Sequence, residues 1–184
     1  MSKRALLVMD VQKSIVDRIP GDAGYLPRLR AAIDAATAAG IPVIYAVIGF
    51  RAGYPEVNPR NKTFGAIRER AAGAGADMDV HPDVAPRPED VVVTKKRVSA
   101  FAGSDLEMVL RAGEVDSLVL TGIATSGVVL STLRQAADLD FALTVLSDGC
   151  FDADPEVHRV LTEKVFPRQA DVLTVDEWVR TVRG

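Results

Sequence analysis

Three groups of residues in this chain could do chemistry together. Asp10 closes the apolar run Ala5-Leu6-Leu7-Val8-Met9. The basic run Lys95-Lys96-Arg97 follows Val91-Val92-Val93-Thr94. The third group is the stretch VDSLVLTGIATSGVVLSTLRQAADL, residues 115–139, where a short apolar strand turns at Thr121-Gly122 into a helical pattern carried by Val128, Val129, Leu133 and Ala136. A strand turning sharply into a helix leaves the helix's first N–H groups unpaired at the strand's carboxyl end. Small residues there (Gly122, Ala124, Ser126, Gly127) let a carbonyl oxygen or an anion approach the backbone. A carboxyl group could carry a proton, a nearby lysine could stabilise negative charge, and the turn could hold an oxyanion. The same residues also fit a capping aspartate, a structural ion pair and an ordinary β–α connection.

These groups act together only if the fold carries them to one edge. Short apolar runs bounded by polar residues predict buried strands at 5–9, 42–48, 91–94, 117–120, 141–146 and 172–173. Helical periodicity predicts a helix over Pro27–Ala39, ended by Gly40, another from about Thr125, and a short one over Phe64–Ala72. Ser104 with Glu107 and Thr174 with Glu177 read as capping boxes, and Asp154-Pro155 as a capped helix start. Alternating strands and helices imply an α/β fold: a single domain over 1–184 with a three-layer, doubly wound, mostly parallel β-sheet. Ligands bind such sheets at the strands' carboxyl ends, which is where all three groups lie.

Other signals are weaker. The loop GFRAGYPEVNPRNKT, residues 49–63, is longer than a simple crossover needs, so Arg51, Tyr54, Asn58 and Arg60 could line a pocket or a subunit contact, or face solvent. The two histidines, His81 and His158, have no partners at metal-ligand spacing, which favours surface or capping roles. The one cysteine, Cys150, follows the predicted fifth strand and reads as a buried, inert thiol. GAGAD at 73–77 lacks the strand and helix of a dinucleotide fingerprint. A formal charge of −3 makes no electrostatic case for nucleic acid or an anionic membrane. No apolar run approaches a membrane span, and the N-terminus enters a strand directly, so a cytoplasmic protein without a signal peptide is expected.

The chain resembles the isochorismatase-like superfamily of hydrolases along nearly its whole length. LLVMDVQ at 6–12 is similar to the family's first strand and its acid. KKRVSAF at 95–101 is similar to its lysine motif, which selects Lys95 over Lys96. LTGIATSGVVLSTLRQAADLDF at 120–141 is similar to its nucleophile turn. For amidase members the resemblance implies an aspartate, lysine and cysteine triad, with an oxyanion turn shaped by a cis peptide at Ile123–Ala124 and including Thr125 and Gly127. Val128 stands where the cysteine should be, and valine has no nucleophile. Isochorismatases offer a thiol-free precedent, in which an aspartic acid protonates a vinyl ether carbon and water adds to the oxocarbenium ion. The metal-binding histidines of nicotinamidases are absent, with Phe50-Arg51-Ala52-Gly53 in their place.

The resemblance thus implies a hydrolase of a small-molecule substrate with Asp10 as acid/base and Lys95 as its partner. Gln12, Phe50, Arg51 and Phe101 are the expected pocket lining, with no metal and no cofactor. A homo-oligomer, dimer or tetramer, is expected from the resemblance and from Phe50, Tyr54 and Val57, which would need cover. The alternative is a catalytically inactive ligand-binding or structural homologue.

Overall fold

The computed structural model describes residues 3–18, 22–70 and 79–183. Six strands form one sheet: β1 (Arg4–Met9), β2 (Val43–Ile48), β3 (Val91–Lys95), β4 (Ser117–Ile123), β5 (Ala142–Phe151) and β6 (Asp171–Leu173), in the order β3-β2-β1-β4-β5-β6. All five pairings are parallel. The order reverses direction at β1, with β2 on one side and β4 on the other, so the sheet has its topological switch point between β1 and β4.

The three central strands are buried along nearly their whole length. Their unbroken apolar sequence follows, because helices cover both faces of the sheet. Ala5, Leu7, Met9, Leu118 and Leu120 pack on one side with the helices α4 (Leu106–Ala112) and α5 (Leu130–Asp138). Leu6, Val8 and Val119 pack on the other, against α2 (Tyr25–Ala38) and Trp178 of α7 (Val175–Arg183). Each such fully buried leucine or valine contributes roughly 1.5–3 kcal/mol relative to an exposed one. Shorter helices are α1 (Lys13–Val16), α3 (Lys62–Arg70) and α6 (Pro155–Val160), the last running on through a π-helical turn, Leu161–Val165. No helix among the described residues is long and apolar enough to cross a membrane.

Several expectations are corrected. Helix α2 begins at Tyr25, two residues before Pro27, because proline is tolerated in a first turn. Strand β5 runs on to Phe151, so Cys150 lies inside it rather than after it. A register shift between Leu120 and Gly122 lets β5 resume pairing after its polar middle, Ser147-Asp148-Gly149. The Thr174/Glu177 box is reciprocal: Glu177 N–H donates to Thr174 Oγ1 (3.2 Å) and Thr174 N–H to Glu177 Oε2 (2.8 Å). At α4 the cap is instead local to Ser104, which accepts from Leu106 N–H (3.2 Å) and donates to Ala100 O (2.6 Å). In the 49–63 loop Phe50 and Tyr54 are half-buried. Phe50 packs on Tyr54 (5.4 Å) and Phe64 (5.6 Å), and Val57 is buried. The GAGAD stretch lies outside the described residues.

Candidate active site

Asp10 follows the last residue of β1, and its φ of +56° ends the strand's regular alternation. Aspartate tolerates this left-handed conformation better than most side chains. Lys95 closes β3, which is two strands away across the end of β2. Adjacent strands lie about 4.8 Å apart, so only a long side chain spans the gap. Lys95 does so, placing Nζ 2.9 Å from Asp10 Oδ2 while donating to Arg97 O at 3.0 Å. Lys96 points elsewhere, donating to Gly49 O at 2.7 Å.

Both charged groups are buried, Asp10 8% and Lys95 2% exposed. Asp10 Oδ1 has no hydrogen-bond partner. Burial pushes the Asp10 carboxyl up to about 6, and the Lys95 ammonium only partly opposes it. A carboxyl group of this kind exists in both protonation states near neutrality, as a proton donor requires.

The β4 end lies beside Asp10. Ladder register pairs Met9 with Gly122. Gly122 has φ +143°, and a Cβ there would sit 2.2 Å from Met9 O, so no other residue fits this approach of β4 to β1. The next peptide bond, Ile123–Ala124, is cis.

The segment after it corrects the expectation of a helix beginning at Thr125. Thr125–Val129 forms a π-helical turn broken at Gly127 (φ −99°, ψ −105°), and regular helix begins only at Leu130. Three of the turn's N–H groups are engaged. Gly127 and Val129 donate to Ala124 O at 3.0 and 3.3 Å, and Ser126 donates to Asp152 Oδ2 at 2.8 Å. The turn closes on Ala124 O through i+3 and i+5 bonds, where an α-helix would use one i+4 bond.

Val128 is 2% exposed and packs in the same cluster as Met9, Ala100, Phe101 and Val129. Gln12 is buried and ties β1 to β2, accepting from Ile48 N–H (2.8 Å) and donating to Ile48 O (3.2 Å). Phe101 lies in the core beside Phe141, with centroids 6.2 Å apart. Arg51 is turned to solvent, its side chain 73% exposed and paired with Glu56 at 2.6 Å. The structure brings Asp10 and Lys95 into contact beside the β4 turn; Gln12 bonds to Ile48, the β2 residue that pairs with Lys95, Phe101 shares the cluster of Val128, and Arg51 pairs within the 49–63 loop. Cys150 Sγ faces Leu120 O at 3.8 Å, and burial pushes its thiol up to about 12. No group of three or more His, Cys, Asp or Glu placed to hold a metal ion occurs among the described residues.

Sequence reasoning missed His158. It is half-buried in α6, with Nδ1 2.8 Å from the hydroxyl of the fully buried Thr125. Topology puts it there: Asp154-Pro155 starts a helix at the carboxyl end of β5, the neighbour of β4.

An acid at the switch point of a parallel sheet, paired with a buried lysine from the edge strand β3, lies where open α/β sheets bind ligands. The isochorismatase domain matches residues 4–177, and the chain belongs to that family. It is 31% identical over 208 residues to the ureidoacrylate amidohydrolase RutB of Stutzerimonas stutzeri, covering 98% of this chain and 80% of that protein. Among solved structures, a cysteine hydrolase from Pseudomonas syringae superposes with a TM-score of 0.89 at 24% identity, over 98% of this chain and 92% of the other. An isochorismatase family protein from Burkholderia thailandensis superposes with a TM-score of 0.82 at 26% identity, over 99% and 96%.

Proposed function

We propose that this chain hydrolyses a small molecule by an acid route, with Asp10 as the proton donor, Lys95 as its electrostatic partner and no thiol nucleophile. The observation that carries this is the Asp10 carboxyl itself: buried, raised to about 6, paired through Oδ2 and unpartnered at Oδ1. Val128 at the position of the family's cysteine removes covalent thiol attack there. Protonating a vinyl ether develops positive charge, so this route needs no oxyanion donor. The proton passes from Asp10 to the terminal alkene carbon, water adds to the oxocarbenium carbon, and the hemiketal collapses to a carbonyl compound and an alcohol.

The test is turnover of enol ethers such as isochorismate beside small amides, including ureidoacrylate, the substrate class named for its RutB relatives. Enol ether turnover should fall as pH rises through about 6, as the donor form of Asp10 is lost. Asp10→Asn should reduce it at least about a hundredfold. Amide turnover indifferent to Asp10→Asn would overturn the acid route. A non-catalytic binding homologue is the second reading, favoured by the packing of Val128 into the core. It expects calorimetric ligand binding with no turnover of either class.

A further inference from the structure

The turn Ala124–Val129 is gripped from outside by the segment from Asp152 to His158, which leaves β5 and runs into α6. Asp152 Oδ2 accepts the Ser126 N–H at 2.8 Å, and His158 Nδ1 lies 2.8 Å from Thr125 Oγ1. The gripping segment is itself fixed. Asp152 Oδ1 accepts from Asp154 N–H (3.2 Å), Asp154 caps α6 through Glu156 and Val157 N–H (2.9 and 3.2 Å), and His158 O accepts from Thr162 Oγ1 (2.9 Å). Two adjacent residues of the turn are therefore held by two side chains of one braced segment, one through a backbone group and one through a hydroxyl.

We infer that His158 is a positioning residue, which together with Asp152 sets the geometry of the turn carrying residue 128 at the reacting site. The inference rests on the reading of that turn as part of the site. A hydroxyl beside an imidazole and a carboxylate also has the composition of an activated nucleophile, but Thr125 is 0% exposed and its hydroxyl meets no solvent-accessible space. Its hydroxyl contacts the imidazole, so the pair orients the backbone and does not attack. Burial lowers the His158 imidazole below its ordinary value against the pull of Asp152, so the ring is neutral at neutral pH, and its Nδ1 shares one hydrogen bond with the Thr125 hydroxyl whose donor is set by the tautomer. Burial pushes the Asp152 carboxyl up, yet its hydrogen bonds from Ser126 and Asp154 and the nearby His158 hold it below the usual range, as an ionised acceptor.

The experiment is amide hydrogen exchange of peptides spanning 121–130, followed by mass spectrometry on the whole chain without substrate. His158→Leu should raise exchange in the turn about tenfold, the factor that losing one buried hydrogen bond gives a local opening, with β1 and α2 unchanged. His158→Asn places a polar atom near the Nδ1 position and should restore protection to within about threefold. Thr125→Val should match His158→Leu, and the double variant should add nothing further, since both remove one contact. Unchanged exchange in the turn overturns the inference. So does exchange that rises across the whole sheet, or that Asn fails to rescue, because either marks a general loss of packing. Since no substrate enters the measurement, a hydrolase reading that fails by lack of turnover leaves this result separately readable.

Discussion

The Asp10–Lys95 pair can be tested without knowing any substrate, through its dependence on pH. Asp10 has a folded value of about 6 against 3.8 for the solvent-exposed free side chain. At 1.36 kcal/mol per unit this amounts to about 3 kcal/mol. Because the folded value is the higher one, Asp10's contribution to stability is complete below about pH 4 and is lost as pH rises through about 6. Lys95 limits that loss by holding the ionised form at 2.9 Å. A double-mutant cycle over Asp10→Asn and Lys95→Met isolates this interaction from every other titrating group. At pH 8 the carboxylate is ionised, and breaking a buried pair on one side costs roughly 3–5 kcal/mol, so a coupling near 3 kcal/mol is expected. At pH 5 most of Asp10 is protonated, only a neutral hydrogen bond remains, and the coupling should be about 1 kcal/mol or less. Urea denaturation of the four proteins at both pH values provides the measurement. Equal coupling at pH 5 and pH 8 would refute the reasoning, since it would mean that Asp10 does not titrate between them.

Four further outcomes are expected. Val128→Cys should be tolerated at about 1 kcal/mol or less, and its thiol, in the turn after β4, should react with iodoacetamide faster than Cys150; an inert thiol at 128 would favour the binding homologue. Gly122→Ala should cost at least about 3 kcal/mol in denaturant midpoint experiments, because its Cβ would sit 2.2 Å from Met9 O at φ +143°; a loss under about 1 kcal/mol would mean that β1 and β4 are not in this register. Cys150, with its thiol near 12, should resist aromatic disulfide reagents at pH 8 until the protein is unfolded. We propose a homo-oligomer, and sedimentation at micromolar concentration returning a monomer would count against it.

The parts legible in the sequence were those fixed by local composition. Leu6, Val8 and Val119 read as strand because both sheet faces are covered, so their runs are unbroken and β1, β2 and β4 fall within a residue or so of expectation at their starts. Asp10 stood out because a carboxylate interrupts such a run where the strand must end. Strand β5 was cut short at Leu146, since Ser147, Asp148 and Gly149 look like a turn, yet Asp148 is used inside the fold, accepting from Val175 N–H at 2.7 Å. The π-helical turn left no local signature either. Its spacing from Val128 to Leu133 is compatible with a plain helix, and only Gly127's backbone angles show the break.

The pairing of Thr125 with His158 was illegible for a different reason. The two residues lie 33 positions apart, and neither carries a motif of its own. What joins them is topology: β4 and β5 are neighbours in parallel, so the segments leaving their carboxyl ends emerge side by side. The turn after β4 and the cap of α6 after β5 must therefore meet, and any polar group on one is within reach of the other. The same rule places Lys95 against Asp10, because β3 and β1 flank β2 and its chain turns away at Gly49. Residue types alone name an acid, a lysine and a histidine. The strand order decides that the first two share a hydrogen bond and that the third holds the turn beside them.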